Sequence, residues 1–347
     1  GSLLDQIVGE APDTPPEVRA EDDLASFIRA AVRPHLVPRP DPRQVELLAS
    51  VDAAAASLMR LLLGHPAVRA LEARWRGLDV LVRRVETGSQ LRLAIFDVAR
   101  EELPGAVAGD DADAAAHDGA LAAMLRDGAL ALPDAAPWSA IVGLYGFGAA
   151  DEDARLLDRL ARVGAAAGAP WLSAAEGVED DARLDGPEWR TLRASPVARW
   201  LGLAWPALLL RLPYGEEGEP VDALPFEEID PSLGHAEAAA RMPWGNAALV
   251  PALVLAAAFA ADGWQMRPGD HLDVERLPLH LHRAAGEVAA VPPGGRLLGE
   301  RDALRLLDAG VMPILSRRDG DAVRLARLQS VAEPLAALAG RWTGARA

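Results

Sequence analysis

The sequence predicts an α/β fold with a mixed, partly parallel sheet flanked by helices, preceded by a helical N-terminal region. Two observations lead to this prediction. In the first quarter of the chain the apolar residues form stripes at helical spacing, with no strand pattern among them. After residue 90, short apolar runs alternate with helical patterns, and strands that alternate with helices are typical of sheets covered by helices.

The composition is that of a globular protein without disulfides. Half of the 347 residues are hydrophobic, a quarter are charged and none is cysteine, and a chain of this length buries enough surface to form a core unaided. The net charge of −16 argues against nucleic-acid binding, which requires basic side chains that neutralise phosphates. The most apolar run, 247–261, contains a proline and is too short to cross a bilayer. A cytoplasmic protein without membrane insertion is therefore expected.

The first 63 residues are predicted to lie outside the α/β core, as an arm over 1–16 and a helical region over 17–63. In the arm, one face of two helical turns carries four apolar side chains: Leu3, Leu4, Ile7 and Val8. A helix this short is unstable alone, so it is a frayed terminus, docks onto its own domain, or binds a partner. In the helical region, a proline-rich link over 34–42 separates two amphipathic stretches. Their stripes suit contacts with other helices or with a partner.

The segment 66–84 has the clearest helical pattern in the chain. It opens with Pro66, a residue favoured in the first helical turn. Apolar residues then recur at steps of three and four: Val68, Leu71, Trp75, Leu78, Val82 and Val85. This spacing predicts an amphipathic helix.

The other elements of the predicted core, 64–335, follow in chain order. The predicted strands are 91–98, 139–145, 171–175, 277–282, 311–316 and 322–331. The predicted helices are 151–167, 245–261 and 301–309. The last two strands are predicted to form a hairpin. An acidic, alanine-rich span over 105–120 is predicted to be a surface loop, and 336–347 a tail.

A glycine cluster, Gly143, Gly146 and Gly148, lies between a predicted strand and a predicted helix, where phosphate-binding loops occur. Its order matches neither nucleotide fingerprint. The next helix opens with three carboxylates, Asp151-Glu152-Asp153, which suit the helix dipole but repel a phosphate. The cluster is therefore predicted to form a tight turn.

Three histidines, His271, His280 and His282, are the best metal-ligand candidates in the sequence. His280 and His282 share one face of a predicted strand, but catalytic zinc generally requires a third protein ligand, so structural or surface roles are favoured. The chain has no nucleophile-elbow motif and no cysteine nucleophile. No catalytic residue, metal or cofactor is expected, and a metal-dependent hydrolase is the least favoured interpretation.

Several segments, taken in order, resemble the large contractile-sheath subunit of bacterial type VI secretion systems, the TssC or VipB family. They are 2–8, 65–84, 141–148, 208–215 (Leu-Leu-Leu-Arg-Leu-Pro-Tyr-Gly), 244–246, 277–280 and 328–334. The resemblance spans nearly the whole chain. It marks as family-motif core the residues Leu71, Trp75, Leu78, Leu212, Pro213, Tyr214, Gly215, Trp244, Gly245 and Asn246.

This resemblance implies a structural role with defined partners. The large subunit pairs with a small sheath subunit (TssB/VipA-like), and the heterodimers stack around an inner tube protein (Hcp-like) and contract to drive secretion. An AAA+ unfoldase, ClpV, recycles the sheath by engaging the N-terminal helix. The resemblance therefore makes Leu3, Leu4, Ile7 and Val8 the unfoldase-binding face. It also implies that the region 17–63 of this chain binds the small subunit, and the baseplate is a further expected contact.

The end of the chain departs from the family pattern. Family members continue beyond the counterpart of Pro334 with strands that are exchanged between neighbouring subunits, whereas this sequence stops at Ala347. Strand exchange depends on backbone pairing, so poor polymerisation by that route is expected. The alternative to a sheath subunit is a non-polymerising accessory paralogue of the same system, such as a cap, a baseplate adaptor or a regulator.

Overall fold

A computed structural model describes the chain over residues 26–28, 30–31, 42–107, 119–131, 136–148, 150–178, 186–216, 218–284, 286–318 and 320–343. The chain divides into two compact units, 1–53 and 54–347. The described residues of the first unit are helical, and the second unit contains the sheets. The proposed unfoldase-binding residues, Leu3 to Val8, lie outside the described residues.

The helices and strands are named in chain order. The described α-helices are α1 (Pro42–Gly64), α2 (Pro66–Arg84), α3 (Leu103–Ala106), α4 (Ala120–Ala131), α5 (Asp151–Ala167), α6 (Pro187–Ala194), α7 (His235–Ala240), α8 (Leu249–Asp262) and α9 (Glu300–Asp308). The described strands are β1 (Ile141–Phe147), β2 (Trp171–Ala175), β3 (Leu201–Trp205), β4 (Leu208–Leu209), β5 (Trp244–Gly245), β6 (Asp273–Val274), β7 (His280–Ala284), β8 (Glu287–Val291), β9 (Val311–Ser316) and β10 (Val323–Leu325). Short 3₁₀ turns occupy Ala198–Trp200, Gly263–Gln265, Pro268–Asp270 and Arg341–Thr343.

The main sheet has six strands in the order β1-β2-β3-β9-β10-β6. The first four are parallel, and β10 runs antiparallel to both β9 and β6. Two antiparallel pairs, β4-β5 and β7-β8, complete the described sheets. The prediction of a mixed, partly parallel sheet with flanking helices and a helical N-terminal region is confirmed.

Side chains of β2 alternate between two apolar clusters. Leu172 and Ala174 join a cluster with residues of α2 and α8. Trp171 and Ala175 join a second cluster with residues of α5 and α6. Because successive strand residues point to opposite faces, the sheet is covered by helices on both sides.

Several predicted elements are confirmed and others are corrected. The bounds of α5, β2 and β9 are as predicted, and β9 pairs with β10 as an antiparallel hairpin. β10 is shorter than predicted, and α8 begins at Leu249 rather than 245, because Trp244 and Gly245 pair with β4. The predicted tail is wrong over its described part, since Leu338, Ala339 and Trp342 are buried in the core.

The predicted strand over 91–98 forms neither a helix nor a strand and pairs with no strand among the described residues. The segment is held from one side. The hydroxyl of Tyr145 donates to the carbonyl of Val98 at 2.7 Å, and Phe96 contacts Trp138 edge to face. The prediction of a strand is therefore wrong for this segment.

The glycine cluster is not a tight turn. Gly143 and Gly146 lie inside β1. A Cβ atom on Gly143 would stand 2.7 Å from the ring of Trp171, and one on Gly146 would collide with the side chain of Glu176. These glycines therefore allow the side chains of Trp171, in β2, and Glu176, directly after β2, to pack closely against β1.

One helix of the described chain, Arg43–Gly64, is long and apolar enough to cross a membrane by length and composition alone. This corrects the expectation that no stretch reaches that length. The expectation considered only uninterrupted apolar runs, whereas this helix is long and apolar enough although it contains charged residues.

Candidate interaction surfaces and the junction of the sequence motifs

The motif 208–215 meets α2 through one buried arginine. The side chain of Arg211 is 2% exposed and lies between two glutamates. Its Nε donates to Oε1 of Glu72 at 2.7 Å, and its Nη1 donates to Oε2 of Glu228 at 2.6 Å. The guanidinium also lies 4.2 Å from the ring centroid of Tyr214. The buried guanidinium is tolerated because it forms ion pairs with two carboxylates.

A second arginine of α2 extends this network. Arg76 donates through Nε to Oε1 of Glu72 at 2.6 Å and through Nη2 to the hydroxyl of Tyr214 at 2.7 Å. The backbone N–H of Tyr214 donates to Oε2 of Glu228 at 2.8 Å. The Arg211 network, defined as Glu72, Arg76, Arg211, Tyr214 and Glu228, therefore joins two segments that are 139 residues apart.

The charges of this network shift each other's pKa. Burial lowers the pKa of Arg211, but its hydrogen bonds and attraction to Glu228 and Glu72 outweigh burial and raise it overall. Burial raises the pKa of Glu72, but hydrogen bonds and attraction from Arg211 and Arg76 outweigh burial and hold it below the ordinary value. Both groups are therefore held in their charged forms.

The end of the motif forms a strained turn. Gly215 has a φ of 148°, and a Cβ atom there would collide with the carboxylate of Glu227. The N–H of Gly215 donates to the carbonyl of Glu219, and the N–H of Glu219 donates to the carbonyl of Pro213, both at 2.9 Å. Glycine is required here because other residues rarely adopt this φ. Leu212 is half-buried beside the turn.

The motif Trp244-Gly245-Asn246 packs on the same part of the core. Its first two residues pair with β4, inside the motif 208–215. Nδ2 of Asn246 donates to the carbonyl of Tyr145 on β1 at 2.9 Å, and Oδ1 accepts from the N–H of Ala248 at the start of α8. Arg69 of α2 donates to the carbonyl of Met242 at 2.9 Å. The structure thus brings together the three motifs that sequence reasoning selected separately.

The apolar face of α2 points away from the core. Trp75 is 66% exposed, Leu71 is 55% exposed and Val82 is 50% exposed, while Leu78 is half-buried. Leu71 and Trp75, which the resemblance marks as family-motif core, are therefore exposed in this chain by itself. Three exposed apolar residues in one stripe are more than the scattered apolar residues of an ordinary surface.

The core instead contacts a different side of α2. Gly77 and Leu81 are buried, and Ala73 and Val80 pack against the cluster that contains α8. A Cβ atom on Gly77 would lie 3.3 Å from the side chain of Leu249. Small residues on this side let α2 approach α8 closely, and the larger side chains remain on the outside.

Further apolar side chains of the helical region are exposed. In the first unit they are Phe27, Ile28, Val45, Leu47, Leu48 and Val51. In the second unit the end of α1 adds Leu58, Met59, Leu61 and Leu62. Exposed apolar surface on this scale is typical of protein interaction sites.

The histidines do not form a metal site. His280 and His282 are buried with ring centroids 6.2 Å apart, and a ring nitrogen of His282 lies 3.0 Å from the carbonyl of Leu233. His271 instead contacts Asp262 at 3.2 Å. Within the described ranges, no three histidine, aspartate or glutamate side chains are arranged to hold a metal ion. The ring of His282 also contacts the ring of His235 edge to face, and the intervening Leu281 is exposed.

Comparison with known proteins gives the family. A family model described as the EvpB/VC_A0108 tail sheath N-terminal domain, VipB, matches residues 45–178 and 182–332. The chain belongs to the VipB family of type VI secretion sheath proteins. The matched residues include the segments 66–84, 208–215 and 244–246.

A curated relative agrees with this assignment. The type VI secretion system sheath protein TssC1 of Pseudomonas aeruginosa is 28% identical to the chain over 312 residues, which cover 83% of the chain. The chain spans 61% of the length of that relative.

Sequence reasoning missed the Arg211 network, although it selected the motif around it. The signal was a single arginine inside an apolar run, Leu-Leu-Leu-Arg-Leu. A charge at such a position is stable only with a buried counter-ion. Its partners lie far apart in sequence, so only the fold identifies them.

Proposed function

We propose that the chain is the large subunit of a type VI secretion contractile sheath. In this role it pairs with a small sheath subunit, the pairs surround an inner tube, and contraction of the sheath drives secretion. Membership of the VipB family supports the class of protein. The uncovered apolar faces of α1 and α2 carry the proposal, because a chain built to pair with another leaves such faces exposed.

The same proposal assigns the remaining expected partners. The baseplate is a further contact, and the N-terminal residues Leu3, Leu4, Ile7 and Val8 form the face that an AAA+ unfoldase engages. A short amphipathic segment fits this use, because it gains stability only when it is bound.

The proposed role is structural and does not include catalysis. The buried charges of the Arg211 network are paired with each other, which supports a stabilising function. The proposed location is the cytoplasm. Within Arg43–Gly64, the charges Glu46, Asp52 and Arg60 are costly in hydrocarbon but ordinary at the edge of a protein interface.

Co-expression with the small sheath subunit of the same secretion system tests the proposal. The complex is purified and examined by size-exclusion chromatography and negative-stain microscopy. Tubules are expected for a polymerising subunit. A discrete soluble complex would favour the accessory role and overturn polymerisation, and the absence of any complex would overturn pairing itself.

A further inference from the structure

The β7-β8 hairpin lies apart from the main sheet. Among the described strands, β7 and β8 pair only with each other. Leu281 and Val288, on the outer side of the hairpin, are 51% and 53% exposed. A single two-stranded hairpin is at best marginally stable in water, so the contacts on its inner side decide whether it stays folded.

Three histidines form a contact on this inner side. His280 and His282 are 6% and 5% exposed, and their ring centroids lie 6.2 Å apart. His235, the first residue of α7, contacts the ring of His282 edge to face, with the centroids 5.4 Å apart. The histidine cluster, defined as His235, His280 and His282, therefore connects β7 to α7.

The polar atoms of the cluster are compatible with neutral imidazoles. Nε2 of His282 lies 3.0 Å from the carbonyl oxygen of Leu233. Because a carbonyl only accepts, this nitrogen carries a proton and donates. Nδ1 of His235 is buried and has no hydrogen-bond partner in the described part of the chain. Both rings are thus accommodated without a charge.

The charged side chains around the cluster are engaged elsewhere or exposed. On α7, Glu237 pairs with Arg241 at 2.8 Å. Before α7, three carboxylates accept hydrogen bonds from other residues: Glu227, Glu228 and Asp230. The charged side chains of the hairpin are exposed: Arg283 and Glu287. The described surroundings therefore supply no carboxylate to balance a charge on His235 or His282, and a buried charge needs such a counter-ion.

Protonation would bring like charges together inside the cluster. Histidine is the side chain that gains a positive charge as the pH falls from about 8 to about 5. At separations of 5.4 Å and 6.2 Å, protonated rings repel each other, and burial reduces the screening by water and salt. The hydrogen bond to Leu233 would persist, because Nε2 already carries its proton. The repulsion therefore acts on the contact between β7 and α7.

The hairpin can separate without unfolding the main sheet. Of the described residues, none in β7 or β8 belongs to the two apolar clusters that cover that sheet. Val291 instead packs with Leu209, Ala238 and Met242 in a smaller cluster. Release of the hairpin would uncover this smaller cluster, and such local opening requires less free energy than unfolding of the core.

We infer that the histidine cluster is a pH-sensitive switch. With neutral rings it holds the β7-β8 hairpin against α7, and protonation releases the hairpin while the main sheet stays folded. The direction follows from the charges, since release at lower pH relieves the repulsion between rings that are buried together. The switch does not depend on a partner subunit, because every group in it belongs to this chain.

Hydrogen–deuterium exchange of the full chain, followed by mass spectrometry, tests the switch. Exchange is compared between about pH 7.5 and about pH 5.5, after correction for the intrinsic pH dependence of amide exchange. Peptides covering β7, β8 and α7 are expected to lose protection at least about tenfold at the lower pH, whereas peptides covering β2 and β3 keep theirs. Equal protection of the hairpin at both pH values, or loss of protection throughout the chain, would overturn the switch.

Variants identify the titrating group. His282→Gln keeps an amide donor near Leu233 but cannot be protonated, so most of the pH dependence is expected to disappear. His271→Gln is the matched control, because His271 lies outside the cluster and contacts Asp262 at 3.2 Å. This control should retain the pH dependence of the wild type, and a pH dependence that persists in His282→Gln would overturn the assignment to the cluster.

A second variant decides the case in which His282→Gln leaves the hairpin unprotected at both pH values. His235→Gln removes one neighbour of His282 and leaves the residues of β7 and β8 unchanged. The pH dependence of hairpin exchange is expected to be weaker in this variant than in the wild type. An undiminished pH dependence would overturn the assignment.

Discussion

Oε1 of Glu72 accepts hydrogen bonds from both Arg76 and Arg211, at 2.6 Å and 2.7 Å. One carboxylate oxygen thus connects α2 to the motif 208–215. The arrangement explains why both segments stand out in the sequence: each supplies charges that are stable only in the presence of the other. The α/β core is consequently locked to the helix that carries the exposed stripe.

Removing the central charge is expected to destabilise the core strongly. Arg211→Ala leaves Glu72 and Glu228 partly buried without their shared counter-ion, a change that costs about 3–5 kcal/mol. Arg162→Ala is the matched control, because Arg162 pairs with Asp158 on the helix surface and such pairs contribute about 0.5 kcal/mol. Urea unfolding measures both. A loss below about 1 kcal/mol for Arg211→Ala would contradict the role of the network.

The lowered pKa of Glu72 predicts sensitivity to acid. Because its folded pKa lies below the ordinary value, its contribution to stability is complete above about pH 5 and is lost as the pH falls through the folded pKa. The melting temperature of Glu72→Gln is expected to be lower than that of the wild type at pH 7. The difference should shrink toward pH 3. A constant difference across this range would mean that ionisation of Glu72 does not stabilise the fold.

Two tryptophans are expected to behave oppositely when they are truncated. Trp189 is 1% exposed, and Trp189→Ala should cost about 3–5 kcal/mol of unfolding free energy. Trp75 is exposed, and Trp75→Ala should cost about 0.5 kcal/mol or less in the unpaired chain. Chemical unfolding measures the free energy of unfolding of each variant. A large loss of stability for Trp75→Ala would mean that this ring is buried in the core.

The turn at Gly215 is expected to reject any side chain. Gly215→Ala combines an unfavourable φ with a collision against Glu227, so a loss of about 1–3 kcal/mol is expected. Gly269→Ala serves as the control, because a Cβ atom there meets nothing within 4 Å. Thermal melting of the two variants should differ clearly, and equal melting temperatures would show that the turn relaxes.

The proposed unfoldase-binding face, Leu3, Leu4, Ile7 and Val8, makes a prediction that does not depend on the core. Leu4→Asp with Ile7→Asp should abolish binding to the AAA+ unfoldase, because two apolar side chains of the proposed binding face are replaced by charges. The melting temperature should stay unchanged, since these residues precede the folded core. Pull-down with purified unfoldase checks the first part, and retained binding would overturn the assignment.

Local sequence patterns determined the elements themselves. The bounds of α5, β2 and β9 follow from periodicity, and Pro66 marks the start of α2, because helical and strand spacing are properties of neighbouring residues. The mixed sheet followed from the order of these elements. The family resemblance was likewise visible in short motifs read in order.

Tertiary structure alone decided which faces are buried and which distant groups meet. α2 has apolar residues on two sides, and packing against the core buries the side that carries Gly77 and Leu81, so Trp75 is exposed. The sequence of 91–98 predicts a strand, but strand pairing needs a neighbour that this sequence does not specify. The Arg211 network joins residues 139 positions apart, and burial of a charge depends on partners that only the completed fold brings within hydrogen-bond distance.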